Sequence, residues 1–113
     1  MCIATDFAMI GLDMMIDPAR RREVVTRLER SGRTIIELTN DQIARFAGNA
    51  LELQGKDGRI LALSTTALAS LDKQQIATIE ESATPIALDI PTIEKAGGSV
   101  RCTLAGIHLT SRA

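Results

Sequence analysis

The residue of this chain best placed for covalent chemistry is Cys102, in the stretch Ala96-Gly97-Gly98-Ser99-Val100-Arg101-Cys102-Thr103-Leu104-Ala105-Gly106-Ile107-His108-Leu109. Paired glycines let a backbone take positive φ and approach a ligand closely. Gly97 and Gly98 therefore read as delivering Cys102 to the entrance of an apolar strand, expected from about Val100 to Leu109. Only the thiolate is nucleophilic, and Arg101 lowers the pKa of its neighbour only if the two side chains meet. Adjacent residues on a strand point to opposite faces, which argues against that meeting. On spacing alone a buried structural thiol outweighs a nucleophile, because free Cys is among the most buried residue types.

A nucleophile needs a base, and His108 is the sole histidine of the sequence. On one extended strand it would share a face with Cys102 but stand roughly 20 Å away at ~3.3 Å per residue. Proton transfer needs ~3 Å. The two are no dyad, and His108 is expected to pack at the strand end or lie on the surface. Cys2, Cys102 and His108 are too few for a tetrahedral zinc site made by one chain without carboxylates, so neither a metal nor a cofactor is expected. Gripping a guanidinium would require convergent acids, and Asp6, Asp13, Asp17, Glu52, Asp89 and Glu94 show no pairing that singles out a site. The residues alone supply a candidate nucleophile without its partners.

What must position Cys102 is a single domain, since 113 residues fall within the usual size of one. With 13 basic against 14 acidic side chains and neither Trp nor Tyr, nothing neutralises phosphates or stacks on bases, so no nucleic-acid partner is expected. The apolar stretches fall well short of the ~20 residues a membrane span needs. Two cysteines are too few for a disulfide scaffold and read as reduced thiols, which points to a cytoplasmic protein.

Along the chain, Met1–Ile16 is apolar and split by Thr5-Asp6, which predicts two strands buried on both faces and joined by a turn. Asp17-Pro18 opens a helix expected over about Pro18–Ser31 and stopped by Ser31-Gly32, with Val24, Val25 and Leu28 inward. Its other face carries Arg20, Arg21, Arg27 and Arg30, diluted by Glu23 and Glu29, and reads as solvated. Arg33–Leu38 reads as a strand, and Asp41–Ala47 as a short helical turn. Ala50–Gln54 and Arg59–Ser64 flank Gly55-Lys56-Asp57-Gly58 as a hairpin. A helix follows over about Lys73–Ser82, capped by Asp72, and then a strand over Pro85–Ile90. Pro91–Lys95 reads as a turn before the closing strand. The pattern is α/β (α+β), with strand, strand, helix, strand laid down twice.

Gly97–Leu109 resembles the C-terminal active-site segment of the amidine-modifying superfamily with the pentein fold. That superfamily includes arginine deiminases, dimethylarginine hydrolases, glycine amidinotransferases and citrulline hydrolases. The likeness is nearest to bacterial amidinotransferase-like proteins that include citrulline-utilisation hydrolases. Cys2–Leu12, Gln42–Leu53 and Leu61–Ser64 resemble segments of the same proteins in the same order.

The resemblance implies a ring of five ββαβ modules, an α/β propeller. This chain would contribute module one over about 1–40, module two over about 41–90 and a closing active-site strand over about 91–113. Cys102 matches the nucleophile, and Gly97 and Gly98 match the backbone that approaches the site. Asn49 matches a Gly-Asn segment at the start of a module strand; lining the substrate channel and holding a turn are the two roles open to it. The implied substrate is a small guanidino or ureido compound.

The catalytic His and substrate-gripping acids of the superfamily match nothing in this chain. A truncated reading frame beginning at an internal Met is therefore expected, inactive by itself. Its cut ends would expose apolar surface, so a homo-oligomer or a missing N-terminal portion is expected to complete it. A non-catalytic assembly module and a plain structural α/β domain with a buried thiol are the competing readings.

Overall fold

A computed structural model describes residues 1–107, 109, 110 and 112. Strand β1 (Cys2–Ile3) turns back through Thr5-Asp6 into β2 (Phe7–Ile10), the turn being closed by the Ala4 N–H donating to the Phe7 carbonyl at 2.9 Å. After a 3₁₀ turn at Leu12–Met14 comes α1 (Pro18–Arg30). Its start is set by Asp17, whose carboxylate accepts from the Ala19 and Arg20 N–H groups, and by Pro18 in the first turn. It ends at Ser31, after which Gly32 takes φ +85°. The chain then forms β3 (Thr34–Glu37), parallel to β2, giving a three-stranded sheet ordered β1-β2-β3.

The same order recurs after α2 (Asn40–Ala44). Strands β4 (Leu51–Gly55) and β5 (Gly58–Ser64) form a hairpin, helices α3 (Thr65–Ser70) and α4 (Lys73–Glu80) cross over, and β6 (Thr84–Leu88) pairs parallel to β5. At the hairpin turn Gly58 has φ +135°, and a Cβ on Gly55 would meet the Gly58 carbonyl oxygen at 2.9 Å, so both glycines are required there. Helix α5 (Pro91–Lys95) and a 3₁₀ turn, Val100–Thr103, follow.

The two sheets share one core: Phe7, Met9, Ile36 and Leu38 from the first cluster with Leu61, Leu63, Ile79 and Leu71 from the second. Each such side chain contributes about 1.5–3 kcal/mol on burial. The half-exposed Asp6–Arg59 ion pair at 2.6 Å links the same two halves but adds at most about 1 kcal/mol, so packing decides how the halves sit. All four residues of β2 are buried, as expected of a strand covered on both faces. In β1 only Cys2 is buried; Ile3 is 50% exposed because this two-residue strand is the sheet edge. The arginine face of α1 is solvated, with Arg20 and Arg27 paired to Glu23 and Arg21 held by the Met15 carbonyl and Asp13. No helix among the described residues is long and apolar enough to cross a membrane.

The exposure of Ile3 corrects the expectation that both N-terminal strands are buried on both faces, and three further expectations change. Helix α3 stands where only a connection was expected, started by Ser64, whose hydroxyl accepts from the Ala67 N–H at 3.0 Å. Pro91–Lys95 is a helix rather than a turn. The closing strand from about Val100 to Leu109 is not formed: Val100–Thr103 is 3₁₀ and residues 104–107 pair with no sheet. The apolar run there is anchored by one residue, Val100, buried to 1% exposure against β5, instead of by alternation. His108 lies outside the described residues.

A polar lock joins the two halves. Thr39 caps α2 and Asp72 caps α4, each reciprocated by the glutamine three residues on, Gln42 and Gln75. These amides then meet. Gln42 Nε2 donates to the Gln75 Oε1 at 2.7 Å and the Ser70 carbonyl at 2.9 Å; Gln75 Nε2 donates to the Gln42 Oε1 at 3.1 Å and the Glu37 carbonyl at 2.8 Å. Removing one partner strands the others. Gln42→Leu is expected to lower stability by about 1–3 kcal/mol in urea unfolding, whereas Gln74→Leu at an exposed neighbour stays within about 0.5 kcal/mol. Equal effects would show the lock to be idle.

Candidate active site

Cys102 is delivered by a short series of backbone constraints. The Gly97 N–H closes α5 on the Glu94 carbonyl at 3.0 Å, and Gly97 itself takes φ +94°, reversing the chain. A Cβ on Gly98 would lie 3.3 Å from the Cys102 Cβ and 3.4 Å from its sulfur, so the missing side chain leaves the thiol its place. Ser99 and Val100 are buried beneath it. The Cys102 N–H then donates to the Ser99 carbonyl at 3.1 Å, folding the segment into its 3₁₀ turn with the thiol exposed.

Asn49 arrives from the other side. After α2 the chain turns through Phe46, a non-glycine residue at φ +65°, and the Asn49 N–H donates to the Phe46 carbonyl at 2.8 Å. This sets Asn49 just before β4, with its side-chain Nδ2 donating to the Cys102 Sγ at 3.1 Å. Of the two roles open to it, Asn49 thus holds a turn through its backbone and faces the thiol through its amide. Its Oδ1 is buried and has no hydrogen-bond partner among the described residues. The four expected site residues, Asn49, Gly97, Gly98 and Cys102, are brought together; Met1 joins them, its carbonyl accepting from the Arg101 guanidinium at 3.3 Å.

The electrostatics follow from these contacts. The Asn49 amide first, then the backbone hydrogen bond of Ser99, favour the thiolate of Cys102 and hold its pKa below the ordinary thiol value; slight desolvation opposes them. The charge of Arg101 adds a smaller influence in the same direction; the segment is a 3₁₀ turn rather than the expected strand, so neighbouring side chains are not held to opposite sides. Cys2 shows the reverse. Burial pushes its thiol from 9.0 up to about 11, with Arg101 nearby only partly offsetting this.

Glu94 and Glu52 were not singled out by spacing. Glu94 accepts from the Thr66 hydroxyl at 2.8 Å and the Ser99 hydroxyl at 2.9 Å, contacts across 28 and five residues. Partial desolvation is the largest single influence on it, but the hydroxyls of Thr66 and Ser99 that bond it, with the Ser64 hydroxyl nearby, together outweigh that and lower its pKa. Glu52 takes the Thr5 N–H at 3.0 Å and the Thr5 hydroxyl on Oε1, while its Oε2 is buried without a partner among the described residues. No group of three His, Cys, Asp or Glu that could hold a metal occurs among the described residues.

Two measurements follow from the contrast between the thiols. Iodoacetamide labelling of the native chain with peptide mapping should modify Cys102 well before Cys2, and Asn49→Ala should slow Cys102 labelling at neutral pH by raising its midpoint; preferential labelling of Cys2 would contradict the geometry. Separately, the folded chain holds the Cys2 proton to higher pH than the unfolded chain, so the stabilisation is complete below about pH 9 and falls as pH rises toward about 11. A decline on the order of 2–3 kcal/mol across that window is expected in denaturant titrations, and Cys2→Ala should flatten it.

No curated protein and no solved structure matches the chain. A sequence profile of the N,N dimethylarginine dimethylhydrolases, eukaryotic, matches residues 1–109. That span takes in both sheets and all four residues gathered around the thiol, so the chain belongs to the dimethylarginine dimethylhydrolase family, within the guanidino-modifying superfamily that its glycine-pair and cysteine segment resembles.

Proposed function

We propose that this chain carries the nucleophile-bearing part of an enzyme that cleaves a C–N bond at the guanidinium carbon of an arginine derivative. The observation that carries the reading is the 3.1 Å contact between the Asn49 amide and the Cys102 sulfur, which turns an exposed thiol into one poised for ionisation. Family membership gives the substrate class. In the first half-reaction the thiolate adds to the guanidinium carbon, forming a C–S bond, and the C–N bond to the departing amine breaks as that nitrogen gains a proton. In the second, water forms a C–O bond to the same carbon, loses a proton, and the C–S bond returns its electrons to the thiolate. The bare backbone of Gly97-Gly98 lets the substrate come close to the thiol. Amidino transfer to an amine and attack on a ureido carbon share the first bond-forming step.

Both half-reactions move protons, and general acid–base catalysis contributes about 10²–10⁴-fold. No described residue beside Cys102 serves as base; the sole histidine, His108, lies outside the described residues. The 113-residue chain by itself is therefore expected to show no steady turnover of arginine, citrulline, agmatine or methylated arginines. Mass spectrometry of the chain incubated with methylated arginine and imidazole as surrogate base should find an adduct on Cys102 that is absent from Cys102→Ala. An adduct on Cys2, or none, would overturn the reading. Turnover lost in Cys102→Ala would instead mean that the base is within these residues.

A second proposal concerns association. Met1 (55% exposed) and Ile3 stand beside the half-buried Val24 and Leu28 at the open edge of the first sheet, an apolar strip flanked by Arg20, Glu23 and Arg27. Strand edges and apolar strips of this kind favour association, here with a second copy. Light scattering over a concentration series should give a dimer that Ile3→Lys dissolves; a monomer at all concentrations would refute it.

A further inference from the structure

The loop that bears Cys102 needs a reason to stay where Asn49 can reach it. Helix α5 has only five residues and no side-chain cap, and Gly97-Gly98 behind it is the most permissive backbone the chain has. Val100 fixes one point, by burial against β5. The other fixed point is polar. Ser99 is fully buried, and its hydroxyl donates to one oxygen of Glu94 at 2.9 Å. The other oxygen accepts from the hydroxyl of Thr66, in the first turn of α3, at 2.8 Å. Two hydroxyls from two separate segments thus converge on one carboxylate that lies neither in the core nor against Cys102.

We propose that Glu94 is a positioning residue for Cys102: by accepting from Ser99 on one side and Thr66 on the other, its carboxylate pins the Gly97-Gly98-Ser99 turn to the start of α3 and so fixes the approach of the thiol to Asn49. The proposal rests on reading Cys102 as the nucleophile. Charge makes the pin strong, since hydrogen bonds to an ionised acceptor are about twice as strong as neutral ones. Geometry makes it specific, because Ser99 also supplies the carbonyl that accepts the Cys102 N–H and a backbone contact to the sulfur. A shift of Ser99 moves every contact that favours the thiolate. The anchor in α3 does not move with it: that helix is held independently by its Ser64 cap and by the burial of Ala67.

The test is the pH dependence of iodoacetamide alkylation at Cys102, read by peptide mass mapping in the full chain. The wild type should titrate below an ordinary thiol. Glu94→Gln keeps the shape but removes the charge and half the acceptor capacity; its midpoint should rise by about half to one pH unit, slowing alkylation at neutral pH about three- to tenfold. Thr66→Val should move the midpoint the same way and Thr66→Ser restore it. That rescue separates positioning from general loss of stability, which would slow neither variant selectively at Cys102. Should Glu94→Gln fail to fold by circular dichroism, the Thr66 pair decides alone. A folded Glu94→Gln or Thr66→Val chain with the wild-type midpoint would overturn the proposal. A wild-type Cys102 that titrates as an ordinary thiol would instead overturn the reading of Cys102 on which it rests.

Discussion

Three strands and a covering helix bury too little to stand alone, and the two such units in this chain resolve the problem by sharing one core. Phe7 and Met9 from the first sheet pack with Leu61 and Leu63 from the second, and Ile79 of α4 closes over them. Every other feature takes its place from this packing. The Gln42–Gln75 amides can meet only because α2 and α4 are brought end to end, and Asn49, at the entrance to β4, can face Cys102 only because Val100 docks on β5 beside it. Apolar burial sets the distances; the polar contacts then select among the arrangements that burial allows.

The division is clearest at the two cysteines. Both lie within reach of Arg101, yet their protonation is pushed in opposite directions. Cys2 sits in the core, where no donor replaces the water its thiolate would lose, and desolvation wins. Cys102 gives up little water and gains two donors, and hydrogen bonding wins. The outcome is decided by burial and donors, not by the nearest positive charge, which they share.

Elements announced by local chemistry were legible in the sequence. Asp17-Pro18 and Gly32 bound α1 within a residue of where it lies, and Gly55-Lys56-Asp57-Gly58 marks the hairpin, because capping and positive φ are properties of single residues. Asp72 likewise marks α4. What local chemistry did not announce was missed. Helix α3 is six residues of Thr, Ala, Leu and Ser without periodicity, formed because Ser64 caps it and the core takes Ala67. The segment after Ser99 was misread as a strand because an apolar run carries no sign of whether it alternates or wraps; Val100 alone of its apolar residues is buried, and the Cys102 N–H bond to the Ser99 carbonyl closes a 3₁₀ turn. Cys102 was singled out by its glycines, although spacing alone favoured a buried thiol where the structure has an exposed one, and Asn49 was singled out by resemblance. Glu94 was passed over as one unpaired acid among several, since its partner Thr66, 28 residues away, comes near only in the folded chain.

Poising a thiolate with neutral donors has a chemical consequence. Where a histidine makes the thiolate by taking its proton, the nucleophile and the base ionise together, and removing the base leaves a thiol. Here the amide of Asn49 and the backbone at Ser99 favour the sulfur's charge without accepting a proton, so the lowered pKa of Cys102 comes from hydrogen-bond donors rather than from a base. In the reaction proposed above, a general acid–base group would then serve the later proton movements, protonation of the leaving amine and deprotonation of water. On that proposal, attack and proton traffic are separable functions, and the contact between Asn49 and Cys102 stands without a base among the described residues.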